Sequence, residues 1–128
     1  MRCIARTKNN SETKRLMIHG EKNGWVHLFY FDGEEEGCGS GDAYERFDVA
    51  MEIAKEEFGV TEDDWTHIEE VREHCQQDWV TPTRIKGREV GQPRFGEPNN
   101  LELFLDGEWV SLEKVKEIPK IVYKEDLV

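Results

Sequence analysis

The stretch from Gly24 to Gly59 constrains this chain more than any other, because it joins two apolar patterns of incompatible period. Trp25-Val26-His27-Leu28-Phe29-Tyr30-Phe31 is rich in aromatic and β-branched residues and follows Asn23-Gly24, a strong hairpin signal. It is apolar on both parities except at His27, the pattern of an interior strand covered on both faces. Further on, Tyr44, Phe47, Met51, Ala54 and Phe58 recur at spacings of three, four, three and four, which places them on one stripe of a helix. Asp42 is positioned to cap that helix, Glu45 to complete a capping box and Gly59 to end it, so the spacing predicts a helix over about 42–58. The stripe should be core, and the opposite face carries Glu45, Asp48, Glu52 and Glu56.

Before this stretch, Cys3 to Thr7 and Lys14 to His19 read as strands separated by the turn chemistry of Lys8-Asn9-Asn10-Ser11. A two-residue turn at Asn23-Gly24 would set Ile18 opposite Phe29 and Leu16 opposite Phe31. His19 and His27 would then lie on opposite faces and could not share a metal. After the helix, Thr61 to Trp65 reads as a short capped turn that buries Trp65, and Thr66 to Cys75 is ambiguous between a short helix, favoured by the spacing of Trp65, Ile68 and Val71, and an extended segment, favoured by its β-branched content. Trp79 to Lys86 is a strand with Pro82 at its irregular start, and the Gly- and Pro-bearing segment 87–100 is a long loop. Leu101 to Val110 is a second hairpin turning at Asp106-Gly107, Ser111 opens a helical turn, and Ile121 to Tyr123 is a last strand. Strands joined by hairpins around one helix define an α+β domain with a mainly antiparallel sheet, the chain forming a single domain, 1–128. The sheet face away from the helix needs cover from the C-terminal hairpin and tail or from a second subunit, as in a homodimer.

A chain of 128 residues can bury roughly two thirds of its unfolded surface, so neither disulfide nor metal is needed for folding. The three cysteines, Cys3, Cys38 and Cys75, show no paired spacing. There is no apolar run of membrane-spanning length and no apolar core after Met1-Arg2-Cys3, and the default expectation is a cytoplasmic protein. Charge is more informative. Residues 1–31 carry six Lys/Arg against two Asp/Glu, 32–73 carry three against sixteen, and 74–128 carry eight against ten. The net charge of −11 is therefore concentrated in the middle of the chain, where it repels nucleic acid and anionic lipid and attracts basic proteins.

No motif specifies a chemistry. Gly37-Cys38-Gly39-Ser40-Gly41 has neither dinucleotide nor P-loop spacing, lacks a following Lys and is crowded by Glu34, Glu35, Glu36 and Asp42. Asp32, Glu34, Glu36 and Gly37 imitate part of a calcium loop, but Ala43 stands where the bidentate Glu is required. Cys3, Cys38, Cys75, His19, His27, His67 and His74 lack transition-metal spacing, so no cofactor or metal is expected. Arg84, Lys86, Arg88 and Arg94 make a local basic cluster within an acidic chain, suited to its own carboxylates, a neighbouring subunit or solvent. These readings favour an inhibitor- or immunity-like binding protein without catalytic activity. Its contact surface for a basic macromolecule would be Glu45, Asp48, Glu52 and Glu56 with the loop Glu34, Glu35 and Glu36. The alternative is a small enzyme or ligand-binding domain with a cleft between the sheet and loop 87–100, using Cys75, His27 or Asp78.

Overall fold

The computed structural model describes residues 1–9, 11–38 and 40–127. They divide into two compact units, Met1–Glu70 with Ile121–Val128, and Val71–Lys120. The architecture is α+β, with antiparallel sheets of five and three strands and, among the described residues, one main helix.

In the first unit, β1 (Arg2–Arg6), β2 (Arg15–Gly20), β3 (Val26–Phe31), β4 (Ser40–Tyr44) and β5 (Thr66–His67) assemble in the order β4-β3-β2-β1-β5. The apolar strand β3 is interior, as its two-sided pattern demands. Its register with β2 differs from the expected one by a single residue: Ile18 faces Leu28, and His19 faces His27. A two-residue type I′ turn needs positive φ at both central positions, yet only Gly24 (φ 96°) adopts it. Gly24 N–H instead bonds Glu21 C=O at 3.1 Å, and Asn23 Oδ1 accepts from Trp25 N–H at 3.0 Å, which makes a three-residue loop. The slip puts His19 and His27 on the same face, their rings 6.3 Å apart and 19° from parallel.

Helix α1 spans Phe47–Phe58 and starts later than the capping pattern predicted. Residues 40–44 are strand instead, because Ser40, Gly41, Asp42, Ala43 and Tyr44 pair with β3 from Tyr30 back to Val26. Gly41 makes that approach feasible: a Cβ there would lie 2.8 Å from Phe29 Cδ1 and 3.0 Å from Leu28 O. Asp42 therefore caps nothing and accepts a 2.6 Å hydrogen bond from Tyr30 Oη. At the other end Gly59 (φ 70°) closes the helix as expected, its N–H bonded to Lys55 C=O.

The buried side of α1 also differs from the predicted stripe. Ala50 and Ala54 are fully buried among Cys3, Ala5, Leu16, Ile18, Val26, Leu28, Val60 and Trp65. Met51, Ile53 and Phe58 pack at the margin, Tyr44 belongs to β4, and Phe47 is 39% exposed and not core. Small alanines at the line of closest approach let the helix axis sit near the sheet, which leaves the larger Phe47 overhanging its edge.

The opposite face of the sheet holds Ile4, Met17, Phe29 and Phe31 with Arg2, Arg15 and His19, all buried. Residues 121–127 reach this face without forming the expected strand. Tyr123 accepts from Arg15 Nη1 at 3.4 Å and lies under the Arg6 guanidinium, 4.0 Å from ring centroid to Cζ. Arg6 pairs with Glu125 and Asp126, Lys8 pairs with Glu125, and Lys124 N–H bonds Thr66 Oγ1. After Trp65, where the pattern left helix and extended chain open, Thr66 and His67 pair with Ile4 and Cys3 as β5, and Ile68 N–H bonds Arg2 C=O. The β-branched content of that segment suits an edge strand better than a helix.

In the second unit, β6 (Thr83–Ile85), β7 (Leu101–Leu105) and β8 (Glu108–Ser111) form a meander. The strand predicted from Trp79 is confined to Thr83–Ile85. Asp106 (φ 51°) and Gly107 (φ 80°) make the two-residue turn predicted for them. The loop after β6 folds on itself: Lys86 N–H bonds Asn100 C=O, Arg94 N–H bonds Lys86 C=O, and Arg88–Val90 form a 3-10 turn.

Candidate functional site: an acid-rimmed groove on helix α1

A helix packed through alanines exposes its larger flanking residues, and here they line a depression. Phe47, Asp48, Met51, Glu52 and Lys55 of α1, with Val60, Thr61 and Glu62 beyond it, enclose a solvent-open groove of about 700 Å³. Phe47, Met51 and Val60 supply apolar surface, while Asp48, Glu52 and Glu62 supply carboxylates around one cation, Lys55. The Thr61 end is rigid, since Asp64 accepts from Thr61 N–H at 2.8 Å and from its hydroxyl at 3.1 Å.

Electrostatics along the rim are uneven. Arg46, at the helix cap position, binds Asp48 through two nitrogens, and the hydrogen bond holds that carboxyl below its ordinary range. Glu52 and Glu56, one turn apart, share a side-chain hydrogen bond that raises the Glu56 carboxyl, and the negative charge of Glu52 adds to the shift. Two like charges at i,i+4 oppose helix stability. A cation laid across them would remove that repulsion.

The remaining acidic candidates have other positions. Glu45 lies in the bend between β4 and α1, outside the helix. Glu34 lines a separate concavity of about 640 Å³ with Arg6, Thr7, Lys8, Lys14 and Gly33, which shares no residue with the groove. Glu35 turns back on its own loop. Its carboxylate accepts from Asp32 and Gly33 N–H at 2.6 and 3.1 Å; desolvation pushes its pKa up, but these bonds outweigh it and hold it low. Glu36 is half-buried.

Gly37–Gly41 leads into strand β4 rather than a helix N-terminus, and Gly39 lies outside the described residues. Among the described residues, no group of three or more His, Cys, Asp or Glu side chains is placed to hold a metal. His27 belongs to the first unit, where it meets Glu21 at 2.9 Å, whereas Cys75 and Asp78 belong to the second. The basic cluster pairs locally: Arg84 with Glu102 at 2.7 Å and over the Trp109 ring, Arg88 with Gln76, Lys86 with Ser111, and Arg94 with Glu97.

Of the acidic residues proposed from sequence, Asp48 and Glu52 line this groove and Glu56 does not, while Phe47, Met51, Lys55, Val60, Thr61 and Glu62 line it without having been singled out as contact residues. The signal was present in the alanines. With Ala50 and Ala54 at the buried centre, the adjoining row Phe47–Met51 must reach toward solvent. No helix is long and apolar enough to cross a membrane among the described residues. No family model, no curated protein and no solved structure matches this chain.

Proposed function

We propose that this chain is a non-catalytic binding protein of the cytoplasm that docks a basic macromolecular partner, in the manner of an inhibitor or immunity protein. The observation that carries this reading is the groove along α1, where Phe47 and Met51 lie between the carboxylates Asp48, Glu52 and Glu62. An apolar floor with a charged rim offers a partner both a desolvated anchor and electrostatic steering. The partner segment that fits is a basic one bearing an apolar side chain, with its Lys or Arg groups over Glu52 and Glu56. Nucleic acid and anionic membranes are disfavoured by the same charge.

A designed amphipathic peptide rich in Lys and Leu, compared with its Glu-for-Lys counterpart, tests the site by NMR titration of the full chain. Shifts should centre on Phe47, Met51, Glu52 and Thr61 for the basic peptide alone and weaken as salt rises past the point where the Debye length is about 8 Å. Reversing Asp48, Glu52 and Glu56 together to Lys should abolish them, and Phe47→Ala should reduce them while the fold persists. Shifts that ignore peptide charge, or that map away from α1, would refute the groove as the docking site.

A further inference from the structure

The edge of the first sheet gathers three soft donors that spacing alone does not reveal. Cys3 and His67 are register partners across β1 and β5, and Met1 lies two residues before Cys3, so strand alternation returns it to the same face. Cys3 Sγ stands 3.3 Å from Met1 Sδ and 3.4 Å from His67 Nδ1. We propose that Met1, Cys3 and His67 form a binding site for Cu(I), with the Cys3 sulfur at its centre.

The donor set selects the ion. A thioether is a poor ligand for hard cations, whereas thioether, thiolate and imidazole together suit a soft ion of low coordination number. Metal–sulfur and metal–nitrogen bonds of about 2.3 and 2.0 Å would set neighbouring donors roughly 3.7–4.0 Å apart in a trigonal plane, so each of the two contacts of Cys3 needs to lengthen by only about half an ångström. Accessibility is graded in the required sense. Cys3 is buried, while Met1 and His67 are exposed and give the ion an entry route. Cysteine ligates metal as the thiolate, so the Cys3 S–H must give up its proton on binding. Binding therefore exchanges the thiol proton for Cu(I): the S–H bond breaks, the proton leaves to solvent, Cu–S and Cu–N bonds form, and copper stays monovalent. The site is independent of the α1 groove.

Anaerobic titration of the full chain with Cu(I), against bicinchoninate as a competing chromophore, tests this. A background with Cys38→Ser and Cys75→Ser leaves Cys3 as the sole thiol. The expected result is uptake of a single Cu(I), near-ultraviolet sulfur-to-copper absorption, and an X-ray absorption spectrum showing two sulfur neighbours and one nitrogen. Cys3→Ala should abolish uptake. His67→Ala, on an exposed edge strand, should keep the circular dichroism spectrum and weaken binding by at least the about tenfold typical of losing a mere supporting group. Undiminished uptake in His67→Ala, or a copper site with one sulfur only, would overturn the assignment.

Discussion

His19 sits where burial and charge act in the same direction. Its side chain is 8% exposed, its Nδ1 has no hydrogen-bond partner among the described residues, and its ring stacks on His27, which pairs with Glu21. Burial foremost, then the positive charges of Arg2 and of the N-terminal ammonium, hold its pKa below the ordinary 6.5, against a smaller upward pull from Glu21. The unfolded chain therefore binds a proton at His19 that the folded chain does not, and stability rises with pH across that interval. Urea unfolding should show stability falling as pH drops through 6.5 toward the depressed folded value, and His19→Asn should flatten this slope. A slope that is identical in the variant would place the pH dependence elsewhere.

Among the elements, helix α1 shows most clearly how far local pattern carries. Its existence, its Gly59 end and its acidic outer side were legible from periodicity, because those follow from backbone geometry and from residues within one turn. Its beginning was not. The apparent cap at Asp42 was overridden by pairing of residues 40–44 with β3, a contact made possible by Gly41. The two hairpins show the same limit. Asp106-Gly107 and Asn23-Gly24 carry equivalent turn signals, yet Asp106 takes positive φ where Asn23 does not, and the one-residue difference in register reverses which face His19 occupies. Of the site, the carboxylates were legible as a charged stripe, but the apolar floor depended on how closely the helix approaches the sheet. That closeness is testable. Ala54→Leu should cost about 1–3 kcal/mol by overpacking, measured by thermal or urea unfolding. A neutral effect would mean that the helix has room to move and that the groove beside it is not fixed.

At the scale of the whole molecule, charge and chain path set the behaviour. Acidic residues of the C-terminal segment meet basic residues of β1 and its following turn, as Glu125 and Asp126 do with Arg6 and Lys8. Such exposed pairs contribute little individually. The apolar anchor of the segment is Tyr123, only 2% exposed. Tyr123→Ala should destabilise by about 3–5 kcal/mol, the range for a buried aromatic, in unfolding monitored by tryptophan fluorescence. A loss well under 1 kcal/mol would show that the segment is not part of the folded unit.

The first unit is discontinuous along the chain, Met1–Glu70 being completed only by Ile121–Val128. On the ribosome this imposes an order of events. The five strands and α1 emerge well before Tyr123 exists, and at about 5–20 residues per second the intervening segment takes several seconds to synthesise. Throughout that interval Arg6 and Arg15 lack the aromatic ring and phenolic hydroxyl that receive them in the finished fold. Residues 121–127 thus complete a sheet made long before them, and translation speed through Val71–Lys120 sets how long that sheet waits unfinished.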